Sequence, residues 1–232
     1  MTGTLINMAT VFIGGILGLF FGARLPERIR NTVVAGLGLF TLGYGLLNFI
    51  KTENSLIVLG SILIGALLGE WWKIEDGLQK MAAFLEKRFS GKQDGSNKFV
   101  QGFLIASILF CVGPMSILGS IQDGLTGDYS ILATKAILDG FAALAFTSTL
   151  GVGVMFSIIV ILVYQGGLSL LAAQLSQVLT PSMMTEMNAT GGILLVGIAI
   201  SSLLEIKQIR MGNFIPALII APLIVAVLAL IN

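Results

Sequence analysis

Lys135 and Asp139 are the side chains whose types and spacing point most directly to chemistry. Both lie in the apolar stretch Phe110–Phe146, and four-residue spacing places them on one face of a helix. A charge at the middle of a membrane helix costs about 2.5 to 3.5 kcal/mol, so we expect the two to face each other, a partner or a watery cavity. Asp139 could bind a proton or cation whose affinity Lys135 sets. The alternative is a structural ion pair that holds two helices in register.

Gly113 and Pro114 interrupt an apolar run that begins near Phe99. Proline lacks an amide proton and its ring crowds the preceding turn, so the pair predicts a broken or kinked membrane helix. An unwound turn frees carbonyl groups that can coordinate a cation or solute. A kink that serves packing alone is the competing interpretation. Ser116 follows the break and belongs to the same candidate site.

Other polar residues within or near the spans could line a polar path or satisfy contacts between helices. Asn7 and Gln101 rank highest among them. Asp123 and Asp128 fit the roles of turn and cap residues, with ligation or an inward-folding gate as alternatives. The candidate solute- or ion-binding residues are Asp139, Lys135, Gly113, Pro114, Ser116, Gln122, Asp123, Gln101 and Asn7.

Composition defines the class of protein. Hydrophobic residues make up 56% of the 232 residues, charged residues 11%, and the mean hydropathy is +0.97. Soluble domains do not approach these values, so we expect an all-α polytopic membrane protein with one integral membrane domain over residues 1–232. A net charge of +1 without long basic blocks argues against nucleic acid as a partner.

Several chemistries lack their usual residues. The sequence contains no histidine, the commonest general base and zinc ligand, and Cys111 is its only cysteine. A disulfide within the chain is therefore excluded, no phosphate-loop pattern for ATP is present, and no cofactor is expected. Rhomboid-type proteolysis needs a histidine, and the paired motif of an aspartyl protease is only faintly suggested by Gly127-Asp128 and Asp139-Gly140. We predict no catalytic residues and no enzyme activity; a metal is left open.

The apolar runs predict a bundle of eight membrane-spanning helices, one of them broken at the Gly-Pro pair. The predicted spans are Thr4–Gly22, Asn31–Ile50, Ser55–Trp72, Phe99 to about Ser120, Ser130–Leu150, Val152–Leu171, Ala189–Leu204 and Met211–Ile231. Residues 74–89 carry an apolar stripe at helical spacing, which predicts an amphipathic helix in the membrane interface. Residues 90–97 form a polar linker.

Basic residues predict the orientation, because cytoplasmic loops are enriched in lysine and arginine. With both termini outside, all thirteen basic residues except Lys51 and Lys135 fall in inward-facing turns.

A weak internal repeat is also present. The run Asn7-Met-Ala-Thr resembles Asn188-Ala-Thr-Gly-Gly, and the span that holds each run is followed by a similar basic segment, Arg28-Ile-Arg30 and Gln208-Ile-Arg210 respectively. Repeats of this kind recur in secondary transporters, although glycine- and leucine-rich segments also align by chance.

Four runs carry a family resemblance, namely GTLINMATVFIGGILGLFFG, CVGPMSILGSIQDGLTGD, TKAILDG and LGVGV. They resemble a bacterial inner-membrane family known as domain of unknown function 554, over essentially the whole chain. The resemblance implies a multi-span inner-membrane protein of a family widely supposed to be transporters. Its motif falls on Gly113, Pro114, Gln122, Asp123, Gly124, Asp128, Lys135, Asp139 and Gly140.

The leading hypothesis is therefore a secondary transporter or permease for a small polar solute or ion. Glycine faces on several spans leave a channel-like or oligomeric pore as the alternative, with a membrane scaffold ranked lower. The expected partners are the lipid bilayer, the solute or ion, and, as an open question, further copies of the chain.

Overall fold

The computed structural model describes residues 1–22, 26–89, 98–111 and 114–231, and within these ranges the chain is helical without strands. The predicted linker at residues 90–97 and Gly113 lie outside the described residues. The helices are α1 (Thr2–Gly22), α2 (Glu27–Phe49), α3 (Ser55–Trp72), α4 (Ile74–Phe89), α5 (Lys98–Cys111), α6 (Pro114–Thr126), α7 (Ser130–Leu150), α8 (Ser157–Leu170), α9 (Ala172–Val178), α10 (Pro181–Ile198) and α11 (Ala217–Ile231).

The all-α polytopic class is confirmed. Seven helices of the described chain are long and apolar enough to cross a membrane, and the pair α5 and α6 supplies an eighth candidate. The axes of α5 and α6 differ by 61°, so the run that the sequence predicts as one broken helix is bent where Pro114 begins α6. Helix α4 has the bounds predicted for the amphipathic helix.

The seventh span begins eight residues before the predicted Ala189. Thr180 accepts a hydrogen bond from the Met183 amide at 3.2 Å, and Pro181 occupies the first helical position, where its missing amide proton costs nothing. Because Glu186 and Asn188 are polar, the hydropathy pattern does not reveal this start. At its other end the helix widens into a π turn at Ala199–Leu203.

Small residues determine which helices pack together. A Cβ atom added to Gly14 of α1 would overlap the Gly140 carbonyl of α7. On α2, a Cβ at Gly45 would lie 2.6 Å from the Gly192 carbonyl oxygen of α10. Backbones that approach this closely exclude any side chain between them, so α1 packs on α7 and α2 on α10.

Candidate binding site

A cavity of about 360 Å³ lies between α2, α5, α6 and α7. Its wall is largely aliphatic and aromatic, and the polar groups on it come from Ser116, Lys135, Asp139 and Tyr44. Phe40, Leu138 and Phe141 line it and are also exposed on the outside of the bundle by 59 to 70%. The remaining lining residues are Leu37, Leu109, Met115, Ala142, Ala145 and Phe146.

The two charged residues predicted from the sequence form a direct ion pair at this cavity. The Lys135 ammonium donates to Asp139 Oδ2, and the two residues expose only 5% and 8% of their surface. Asp139 follows the start of α7 by nine residues, or about 13 Å along the helix, which is near the middle of a hydrocarbon core of about 30 Å. The pair is therefore deep within the bundle.

Asn7 of α1 completes this cluster. Its side-chain amide nitrogen donates to Asp139 Oδ2 at 2.9 Å and to Gln165 Oε1 on α8 at 3.3 Å. Both amide residues are fully buried. The Asp139 carboxylate thus accepts from an ammonium on its own helix and from an amide on α1, and Asn7 links it to Gln165 on α8.

The bend between α5 and α6 lies against the same cavity. The Ser116 hydroxyl donates to the Phe110 carbonyl oxygen at 3.0 Å, across the bend, and so satisfies a carbonyl that the interrupted helix leaves free. Pro114 begins α6, two residues before Ser116. The structure therefore brings the break and the charged pair together.

Asp123 lies elsewhere, where α6 meets the start of α1. Its Oδ2 atom accepts from the Gly3 amide at 3.1 Å and lies 3.1 Å from the amino group of Met1. Only 3% of the residue is exposed. A carboxylate at a helix start satisfies free amide groups and complements the helix dipole.

Gln122 and Gln101 also bond away from the cavity. The Gln122 amide donates to Asp128 Oδ2 at 2.6 Å, and the Ser130 amide donates to Asp128 Oδ1 at 3.0 Å, which closes the turn before α7. Gln101 donates to the Ser202 carbonyl in the π turn of α10. Both residues serve helix ends and turns in this structure.

Two buried carboxylates carry contacts that the sequence did not reveal. Glu186 Oε1 accepts from the amides of Glu53 at 2.7 Å and Asn54 at 3.0 Å, and its Oε2 accepts from the Thr52 hydroxyl at 2.6 Å. Glu75 Oε2 accepts from the Gly212 amide at 2.7 Å. A carboxylate inside an otherwise apolar helix, as at Glu186, is the signal that could have found the first.

Within the described residues, no group of three or more cysteine, aspartate or glutamate side chains is placed to hold a metal ion. The groups that bond to Asp139 are the charged Lys135 ammonium and the neutral Asn7 amide. The arrangement is suited to a proton, a monovalent cation or the polar group of a solute.

The helices and the buried charged pair define a multi-pass membrane protein with a partly open cavity between its helices. The chain belongs to the family described as protein of unknown function (DUF554), whose profile matches residues 2–226. It is 37% identical over 221 residues to the uncharacterized protein YqgA of Escherichia coli (strain K12), covering 94% of each chain. It is 27% identical to the uncharacterized membrane protein YdfK of Bacillus subtilis (strain 168), covering 98% of this chain and 97% of the relative. No solved structure matches the chain.

Proposed function

We propose that this protein is a secondary transporter or permease that moves a small polar solute or an ion across the bacterial inner membrane. The observation that carries the proposal is the cavity, where the Lys135–Asp139 pair meets the bend between α5 and α6. Discontinuous helices with a buried ionisable residue near mid-membrane are the usual construction of transporter sites. Asp139 binds the proton or cation, and Lys135 adjusts its affinity.

The residues that line the cavity limit which kinds of solute can bind there. Most of the wall offers only dispersion contacts, while Ser116, Lys135 and Asp139 offer polar atoms at one side. A solute whose polar group meets the charged pair and whose remaining atoms lie against the aromatic wall fits this cavity. The volume of about 360 Å³ lies at the small end of the range for ligand pockets, which supports a small molecule.

The first test measures the thermal stability of the purified protein with a panel of ions, amino acids, carboxylates and nucleobases. A ligand that binds only the folded state adds RT ln(1 + [L]/Kd), or about 2.7 kcal/mol at a hundred times Kd. We expect one ligand class to raise the midpoint of the parent and of Asp128→Asn, a matched change in an exposed turn. The same ligands should leave Asp139→Asn unchanged.

A second variant separates ligand binding from a structural role. Asp139→Asn leaves the Lys135 ammonium buried without its carboxylate partner, which is costly in itself. Lys135→Met combined with Asp139→Asn removes both charges and should restore a folded protein, still without the response to ligand. If the double variant regains stability and no ligand discriminates it from the parent, the pair is structural and the proposal fails.

Flux measurements in liposomes address the pore alternative. A carrier saturates with solute concentration, because each turnover requires a conformational change. Flux that rises without saturation through the parent protein would favour the pore instead.

A further inference from the structure

Three helices present polar residues to one buried junction, between the charged pair and the start of α1. The spacing within each helix is three or four residues, so each set forms a stripe on one helix face. None of these residues exposes more than 5% of its surface. We call them the polar file: Thr4 and Asn7 on α1, Ser120 and Asp123 on α6, and Gln165 and Ser169 on α8.

Direct contacts join the three stripes. Asn7 of α1 bonds to Gln165 of α8 at 3.3 Å, and Gly3, next to Thr4, bonds to Asp123 of α6 at 3.1 Å. The Ser169 hydroxyl donates to the Ser120 carbonyl oxygen at 2.9 Å. These contacts join the three stripes in pairs, between Asp139, which Asn7 contacts, and Asp123 at the end of the bundle.

The polar file also holds an unusual share of unsatisfied polar atoms. Ten buried side-chain oxygen or nitrogen atoms have no hydrogen-bond partner within the part of the chain that the structure describes, and five of them belong to the file. They are Thr4 Oγ1, Asn7 Oδ1, Ser120 Oγ, Asp123 Oδ1 and Gln165 Nε2. Leaving such a group unpaired is unfavourable, and buried water is the usual partner of clustered polar atoms.

We propose that the polar file holds a chain of water molecules along which protons reach Asp139 from the end of the bundle where α1 begins. Both donors and acceptors are available, as a proton-conducting chain of waters and hydroxyls requires. The chain ends next to exposed residues, since positions 124 to 130 lie on the surface directly after Asp123. This inference rests on the proposed function and names the proton as its coupling ion.

The charged groups at each end fit this role. At Asp139 the facing groups are the Lys135 ammonium and the neutral amide of Asn7, and the buried thiol of Cys111 on α5 lies in the same neighbourhood. At Asp123 the facing charge is the amino group of Met1. The middle of the file carries hydroxyl and amide groups only, which bear no charge and can hydrogen-bond to the water molecules that carry the proton.

Hydrogen exchange of side-chain amides tests the proposal without knowledge of the solute. The full-length protein, reconstituted in lipid bilayers with isotope-labelled asparagine and glutamine, is transferred to heavy water and followed by solid-state NMR. Asn48 is the internal control, because its amide is equally buried but donates to the Tyr44 carbonyl at 2.9 Å, away from the file. We expect Gln165 to exchange about tenfold faster than Asn48, since Asn48 must wait for a local opening.

A pair of matched variants tests the route. Thr4→Val removes one hydroxyl from the file at nearly constant shape. Thr41→Val makes the same change at a fully buried threonine of α2 whose hydroxyl likewise has no partner in the part of the chain that the structure describes. Thr4→Val should slow exchange at Gln165 by about fivefold to tenfold, because it removes one hydrogen bond to the proposed water chain, and Thr41→Val should not.

Two results would overturn the proposal that the polar file holds a chain of water molecules. One is exchange at Gln165 as slow as at Asn48, and the other is an equal response to the two threonine variants. Neither result would affect the comparison of ligand-induced stabilisation between the parent and Asp139→Asn, which tests the transporter proposal separately.

Discussion

Glu186 shows how a single buried carboxylate can organise a turn that precedes it by more than a hundred residues. It exposes 1% of its surface and accepts three hydrogen bonds from Thr52, Glu53 and Asn54, between α2 and α3. Hydrogen bonds to a buried charged acceptor are each stronger than neutral ones, so their loss is costly. The turn therefore depends on α10 for its shape.

We predict that Glu186→Gln lowers the free energy of unfolding by about 1 to 3 kcal/mol, because an amide cannot accept all three bonds. The measurement is the apparent unfolding midpoint in detergent. Glu53→Gln is the control, since its carboxylate is exposed and, among the described residues, bonds only to the Ser182 hydroxyl at 2.9 Å. An unchanged midpoint for Glu186→Gln would show that the carboxylate does not hold the turn.

Asp128 offers a prediction about pH in the turn before α7. The backbone amide of Ser130 donates to its carboxylate and lowers the pKa of Asp128 below its ordinary value of 3.8, with Gln122 adding to the effect. A lowered folded pKa contributes stability that is present above the unfolded pKa and is lost as pH falls through the folded one. Amide exchange at Ser130 should therefore be protected at neutral pH and lose that protection under strongly acid conditions. Asp128→Asn should show weaker protection, with no acid transition.

The charged pair could be predicted from the sequence, because a lysine and an aspartate inside an apolar run are conspicuous without any knowledge of the fold. The partner of Asp123 could not, since only the packing of α6 against α1 brings it to the Gly3 amide. Gln165 is a similar case. Its polarity was visible, but its link to Asp139 passes through Asn7 on a third helix.

At the scale of helices, close approach between α2 and α10 depends on two facing glycines. A Cβ at Gly45 would lie 2.6 Å from the Gly192 carbonyl oxygen, whereas a Cβ at Gly43 would meet no atom of the described ranges within 4 Å. Backbone atoms cannot give way as a flexible side chain can, so an added methyl group must separate the helices.

Gly45→Ala should therefore destabilise the protein by about 1 to 3 kcal/mol, the usual cost of overpacking. Gly43→Ala, two residues away on the same helix, should be neutral or stabilising by up to about 1 kcal/mol through helix propensity. Thermal unfolding of the two variants side by side checks this. Equal midpoints would contradict the assignment of the α2–α10 contact to these glycines.

Helix positions followed from hydropathy wherever the run was uniformly apolar, as in α3, whose predicted bounds Ser55–Trp72 agree with the structure. The predicted start of α10 was wrong, because Glu186 and Asn188 interrupt the apolar run there. The cap at Thr180 marks the actual start of the helix. The short helix α9 had no hydropathy signal of its own. The proposed internal repeat remains a prediction.

At the scale of the whole molecule, polar contacts concentrate at the ends of the bundle as well as at the cavity. Arg210 bonds to Glu70 at 3.2 Å and Asp76 at 3.0 Å, and the Glu75 amide donates to Asn213 Oδ1 at 2.8 Å. These contacts tie the α3–α4 turn to the segment before α11. Sequence alone could not pair these segments, because small-residue faces on many helices are interchangeable until the packing is known.

Orientation is the last property that belongs to the whole molecule, and the distribution of basic residues predicts it. In a Cys111→Ala background, which removes the only cysteine, Asp128→Cys places a thiol in the exposed turn between α6 and α7. Lys80→Cys places one on the exposed face of α4. With both termini outside, a membrane-impermeant thiol reagent added to intact cells should label the first variant, and label the second only after the membrane is opened. The reverse labelling pattern would show that the bundle has the opposite orientation in the membrane, and protons would then enter the polar file from the cytoplasm.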